Sequence, residues 1–254
     1  MPQKSTHWKD DMGIYLSRLY LNTLHRDIRV QLGNCYRMHQ KILSAFPDVN
    51  GGDKGRNALG VLYRIETVEK SSDTIRLLVQ SAMEPNWRVY PSSSLKDYDN
   101  QQNPSVRRVD SLYYRIGVGM QLLFRLRANP TKRLRSNVVG QEDKLSGKRV
   151  ALLRESEQVA WLARKGEQHG FRLLGADGNP EMLSVQVAKQ EESWGWYRRD
   201  SGTGDVSEHL NFGAVVFSGL LEVTHQEQFQ TALVNGIGSG KAFGFGLLSI
   251  AQVR

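Results

Sequence analysis

A single cysteine, Cys35, stands in 254 residues. No intrachain disulfide can form, which suits a reducing compartment. No run approaches the roughly 20 consecutive apolar residues of a membrane span. Residues 1–13 are polar and charged, without the apolar centre of a signal peptide. The expectation is a cytoplasmic protein with no membrane partner. Histidine is scarce as well: the six present form no H-E-x-x-H pattern, and there is no cysteine pair to complete a metal site. Glu191 and Glu192 are an isolated acidic pair, whereas a two-metal nuclease needs several convergent carboxylates. Neither a metal nor another cofactor is expected.

What is abundant is positive charge. Lys and Arg total 34 against 26 Asp and Glu, a net charge of +8. Such an excess favours polyanionic partners, nucleic acid first and anionic membrane second. The plain alternative is a soluble protein that happens to be basic. Hydrophobic residues at 39% are enough to build a core, and the length fits one large domain or two small ones.

Along the chain, strands are predicted at 14–21, 61–66, 75–81 and 120–129, the second and third joined by a polar turn at 70–73. Between the first two, Asn34 is a suitable N-cap for a helix carrying Cys35, Met38, Ile42 and Phe46 at helical spacing, stopped at Pro47. Residues 92–104 are polar and aperiodic and read as a loop or insertion. The second half repeats the rhythm. A strand is predicted at 148–153, then a helix capped by Ser156 and stopped at Gly170, then "FRLL". A long hairpin follows over about 183–223 around "DSGTGD". A Thr224/Glu227 capping box opens a last helix, and "LLSIAQV" is the final strand. Each half follows the order β-α-β-β-α-β, with the second helix of the first half poorly marked. The expected fold class is α+β, two tandem ferredoxin-like (RRM-like) domains at 12–140 and 146–254.

The segment GIGSGKAFGFG, Gly236 to Gly246, holds five glycines and a lysine. It is not a Walker A loop, because Ala242 follows Gly240-Lys241 and Asn235 stands where the first glycine belongs. Nor does it fit the dinucleotide fingerprint, since a helix precedes it and a strand follows. "KAFGFG" is close to the RNP1 pattern but is followed by too few residues to complete that element. Two readings stay open. Successive glycines can turn backbone N–H groups inward as an anion-binding nest, with Lys241 adding charge. Alternatively the segment is a turn that lets helix pack tightly on sheet.

Together with other stretches, this segment resembles the RAMP-type CRISPR RNA endonucleases, and more narrowly the CasE (Cse3) branch that processes pre-crRNA in type I-E systems. "CYRMHQ" (35–40) is similar to that family's Tyr-x-x-His element on its first helix. "EPNW" (84–87), "RLRANPTKR" (125–133), "GKRVAL" (147–152) and "WLARKGEQHGFRLL" (161–174) resemble family stretches in the same order. The extension 1–13 and the length of 92–117 depart from the pattern.

The resemblance implies a metal-independent endoribonuclease that cuts CRISPR repeat RNA at the base of a stem-loop. It also implies retention of the product within a multi-subunit type I-E interference complex, the chain being a monomer when alone. His39 is then the acid/base and Tyr36 its helper; by position alone, His39 would pass for a helix-edge histidine bonded to backbone. Histidine suits proton transfer near neutrality. Attack by the 2′-OH would leave a 2′,3′-cyclic phosphate and a 5′-hydroxyl.

Expected RNA-binding residues are Gly236, Gly238, Gly240, Lys241, Gly244 and Gly246 in the glycine segment, Arg198 and Arg199 near the hairpin tip, and Lys132, Arg133 and Arg135. Both basic clusters would otherwise be solvated surface. In similar proteins a basic hairpin enters the major groove of the stem, which demands a widened groove. Trp194 and Trp196 are expected to lie in the core or to pack the hairpin rather than stack on bases. His25 is expected near the cleft, and His169 to complement a helix C-terminus. The competing readings are a stem-loop-binding subunit that does not cut, and a metal-dependent nuclease.

Overall fold

The computed structural model describes residues 13–47, 59–98, 100–133, 149–175, 185–200 and 205–253, with backbone alone at 190–192, 197–200 and 205–208. It divides into two compact units, 1–115 and 116–254. Among the described residues no helix is long and apolar enough to cross a membrane.

The first unit runs β1 (Tyr15–Asn22), α1 (Arg26–Leu32), α2 (Cys35–Leu43), β2 (Leu62–Thr67), β3 (Thr74–Ser81), β4 (Ser105–Arg108) and α3 (Asp110–Tyr114). Its antiparallel sheet has the order β2-β3-β1-β4, the arrangement of a ferredoxin-like split βαβ unit. The poorly marked second helical slot holds two short 3₁₀ turns, Trp87–Val89 and Ser92–Ser94. The expected loop after them is tied down by Asn103. Its side chain accepts from the Tyr20 amide at 3.0 Å and donates to the Tyr20 and Lys96 carbonyls, each at 2.8 Å. Leu19, Leu21, Leu77 and Val79 of the sheet close over Ile28, Met38 and Ile42 of the helices to form the core.

The second unit runs β5 (Gln121–Ala128), β6 (Thr131–Arg133), β7 (Arg149–Ala151), α4 (Glu155–Gln168), β8 (Phe171–Leu173), β9 (Val185–Asp200), β10 (Asp205–Val223), α5 (Gln226–Asn235) and β11 (Leu248–Gln252). The order β11-β5-β10-β8 repeats the ferredoxin-like pattern. Here the structure corrects the expected boundary. Gln121–Ala128, expected as the last strand of a domain 12–140, pairs with β10 and β11 and is the first strand of the second unit. The first sheet takes Ser105–Arg108 as its fourth strand instead. Residues 149–151 are not a sheet-opening strand; they pair with 131–133 in a separate ribbon.

Two expected caps are absent. The last helix starts at Gln226 with His225 as N-cap and no side-chain cap. The Gly170 carbonyl accepts from the amides of both Thr224 and His225, at 2.8 and 3.0 Å, so the chain enters the helix one residue later than a Thr224 cap would set. Similarly α4 begins at Glu155 with Arg154 at the cap position, which puts Ser156 inside the first turn. Glu155 and Glu157 complement the helix dipole there.

Candidate cleavage residues and nucleic-acid interface

The helix carrying Tyr36 and His39 is fixed at three points. Asn34 caps it as expected, its Oδ1 accepting from the amides of Tyr36 at 3.0 Å and Arg37 at 3.4 Å. Cys35, Met38 and Ile42 are buried on one face. At the far end the Lys41 ammonium donates to the Val89 carbonyl at 2.6 Å and lies over the Tyr90 ring. Tyr36 and His39, three residues apart, are neighbours on the flank of the buried face, and both are half-exposed. A helix anchored this way fixes the backbone from which the phenol and the imidazole project. His25 has a local task instead: it caps α1, Nδ1 accepting from the Asp27 amide at 3.3 Å.

In the second unit the glycine segment divides into two parts. One part packs. The Ile237 amide donates to the Gly246 carbonyl at 2.9 Å, and the Gly246 amide to the Arg127 carbonyl of β5 at 2.8 Å. Arg127 reaches over the Phe245 ring, 4.3 Å from its centroid, and donates to the Gly244 carbonyl and to Ser193 Oγ. Arg127 thus clamps the loop onto β5. Gly246 sits at φ +87°, and a Cβ there would come 3.0 Å from the Ile237 carbonyl oxygen. Gly246→Ala is expected to cost at least about 1–2 kcal/mol from the left-handed backbone alone, measured as a lower midpoint in denaturant melts.

The other part opens onto a cavity of about 380 Å³. Gly236, Gly238, Ser239 and Lys241 form one wall; Thr131 and Arg133 of β6 with Arg149 of β7 form another; Trp161, Arg164, Lys165 and His169 of α4 complete it. At Gly238, φ +89°, a Cβ would lie 3.2 Å from the Trp161 ring, a tight approach on a backbone that favours glycine. Of the expected binding residues, Gly236, Gly238, Lys241 and Arg133 are thus brought together. Gly240, Gly244 and Gly246 shape the loop behind them, all at positive φ. Lys132 is exposed and paired with Glu157 at 3.2 Å. Arg135 lies outside the described residues, and Arg198 and Arg199 are placed on β9 by backbone alone.

Sequence reasoning missed Arg149, Arg164 and Lys165, and took His169 as a dipole partner only. His169 is the C-cap residue of α4 and also faces the cavity. Burial lowers its pKa below the ordinary histidine value, and the charges of Lys165 and Lys241 lower it further. Burial first and Lys165 second lower the pKa of Lys241; burial, then Arg164 and Arg149, do the same for Lys165. A signal existed in the chain: Trp161, Lys165 and His169 recur at i, i+4 and i+8 along one helix face. Trp194 and Trp196 correct another expectation. They are 55% and 40% exposed, which places them outside the core.

A family model described as CRISPR associated protein matches residues 14–252. The CRISPR-associated endoribonuclease Cse3 of Thermus thermophilus is 34% identical over 239 residues, covering 94% of this chain and all of that protein. The chain belongs to the CRISPR-associated protein family, CasE (Cse3) branch. The Cascade subunit CasE of Escherichia coli is 28% identical over 242 residues, again 94% of this chain and all of that protein. Among solved structures, a CRISPR endoribonuclease Cse3 bound to a 19-nucleotide RNA superposes with a TM-score of 0.69 at 34% identity, over 93% of this chain and 99% of that one. Both ferredoxin-like units therefore belong to the family fold, and the family's coverage begins one residue before β1.

Proposed function

We propose that this chain is an endoribonuclease that cuts CRISPR repeat RNA at the base of a stem-loop and keeps the product as a subunit of a type I-E interference complex in the cytoplasm. The observation that carries this reading is the Tyr36/His39 pair, held half-exposed on a capped and core-anchored helix in a family whose relatives are named endoribonucleases.

In the proposed reaction the 2′-oxygen beside the scissile bond attacks phosphorus in line. A base takes the 2′-hydroxyl proton, the P–O5′ bond breaks, and an acid protonates the departing 5′-oxygen. His39 supplies proton transfer at one of these oxygens, and the Tyr36 hydroxyl donates to a phosphate oxygen or orients the 2′-hydroxyl. The products are a 2′,3′-cyclic phosphate and a 5′-hydroxyl. RNA is held through its phosphates by the cavity of the second unit and by the basic hairpin, so affinity falls with salt.

The test is incubation of labelled repeat RNA with the full chain in excess chelator, followed by end-group analysis. One cut, a cyclic phosphate and no cleavage of RNA bearing a 2′-deoxy nucleotide at the scission site are expected. Loss of cutting in chelator, or a 3′-hydroxyl product, overturns the mechanism.

A further inference from the structure

A second concavity lies at the root of the hairpin's outer arm. It measures about 260 Å³, and its walls include Pro130, Ala151 and Leu152 beside the β6–β7 ribbon, Gln158 of α4, and Asn211 and Gly213 of β10. The hairpin ladder is irregular at this point: residues 191 and 192 of β9 stand opposite Gly213 alone. Bulges of this kind re-aim side chains and recur beside ligand sites. Packing does not require glycine at 213. Its φ is not positive, and a Cβ there would lie 3.6 Å from the Ala151 Cβ and 3.7 Å from Asn129 Oδ1, both ordinary contacts. The missing side chain leaves the space open.

Two features say what the space takes. The first is a demand for donors. Gln158 is 2% exposed and donates its Nε2 to the Leu152 carbonyl at 2.8 Å. Its Oε1 and the Oδ1 of Asn129 are buried, and neither has a hydrogen-bond partner among the described residues. Buried acceptors left unpaired are costly. The second feature is an aromatic beside the opening. Asn211 pairs directly with Trp194, and His209 with Trp196, so the four side chains share the face of the arm that starts at the cavity. Lys189, opposite Val215, brings a positive charge, and the lining residues include no Asp or Glu. The ribbon is also shared with the basic cavity: Thr131, Arg133 and Arg149 line that one, Pro130 and Ala151 this one.

We propose that this recess takes one unpaired RNA base carrying an exocyclic amino group, which donates to the Gln158 and Asn129 carboxamide oxygens while Trp194 stacks on the base. This rests on the RNA-binding reading above and extends it from phosphates to a base. Unpaired bases are the part of an RNA open to such recognition, because the A-form major groove hides the paired ones. The apolar walls and the indole suit any flat ring, so they supply affinity without choice. The carboxamides supply the choice. Adenine, cytosine and guanine each bring an N–H₂ donor, whereas uracil turns carbonyl oxygens towards oxygens that already lack a donor. An apolar side chain from a partner protein would fill the same walls but leave both oxygens unpaired.

The test uses the full chain and repeat RNA made non-cleavable by a 2′-deoxy nucleotide at the scission site. Each nucleotide outside the paired stem is made abasic in turn, and Kd is measured for the parent, Trp194→Ala and Ala151→Phe. Ala151 is exposed on β7, so phenylalanine there fills the recess without entering the core. One position is expected at which the abasic change weakens binding to the parent roughly 10-fold, and to either variant by less than about 2-fold. At that position uridine should behave like the abasic RNA, while adenosine or cytidine restores affinity. This last comparison is made on the parent alone and depends on no variant's folding. A parent that binds the RNA but shows no such position overturns the proposal. So does a position whose loss costs parent and variants alike, or one at which uridine binds as well as the amino-bearing bases. If the parent fails to bind repeat RNA at all, the broader reading falls instead.

Discussion

His39→Ala is expected to slow cleavage of repeat RNA by roughly 100- to 10,000-fold while leaving its Kd close to that of the parent. The size follows from what an imidazole does in this reaction. It moves a proton on or off oxygen as phosphorus changes partners, and water replaces it poorly. Binding survives because the proposed phosphate contacts lie on other residues. The substitution should also leave the fold intact: Cys35, Met38 and Ile42 carry the buried face of the helix, and His39 sits on its flank. Single-turnover rates with excess protein give the chemical step without product release. Unchanged cutting would remove His39 from the mechanism. A parent that binds stem-loop RNA tightly without cutting it would instead mark a purely binding subunit.

Glu66→Gln is expected to destabilise the protein by about 3–5 kcal/mol, the cost of breaking a buried ion pair from one side. Glu66 accepts from Arg64 Nε at 2.8 Å and from Arg76 Nε at 2.7 Å, joining β2 to β3 through its cross-strand partner Arg76. The Arg64 and Glu66 side chains are only 3% and 4% exposed. Without the carboxylate, the buried Arg64 guanidinium loses the charge that Glu66 places 2.8 Å from its Nε. Burial pushes the Glu66 pKa up, but the two guanidiniums outweigh it and hold it below the ordinary value. The sign follows directly. A depressed carboxyl contributes stability that is complete above its unfolded pKa and is lost as pH falls through the folded one. The parent should therefore lose stability on acidification through that window more steeply than Glu66→Gln. Denaturant melts at neutral and acidic pH read both effects. A change under 1 kcal/mol at neutral pH would show that the triad contributes little.

Local chemistry made several elements legible in the sequence. Asn34 was readable as a cap because an Asx side chain before an apolar helical stripe has few other uses, and the alternation in β1, β2 and β3 marked them as strands. Sheet membership was not readable in the same way. The pattern of Gln121–Ala128 says that it is half-buried, but not which sheet buries it, so the strand was assigned to the wrong unit. The cap signal at Thr224 misled for a related reason: a carbonyl far along the chain, that of Gly170, decided where α5 begins. The cation cluster was hidden by distance in sequence. Arg133 and Arg149 meet only through a ladder, and Lys241 joins them from the end of the chain. Strand alternation puts Trp194 and Trp196 on one face without showing whether that face is buried, and their exposure places them outside the core.

The long strand β10 has a consequence for how substrate preference can change. Its segment Val215–Glu222 is locked to β5, while Asp205–Phe212 continues past that sheet paired to β9 alone. A one-residue shift in register between Phe212 and Ala214 separates the outer arm from its root, where the buried side chains of Val215, Phe217 and Leu221 resist slippage. Exchanges on the outer arm therefore leave the pairing of the root with β5 in place, so the proposed contact with the repeat stem can change without rebuilding the sheet.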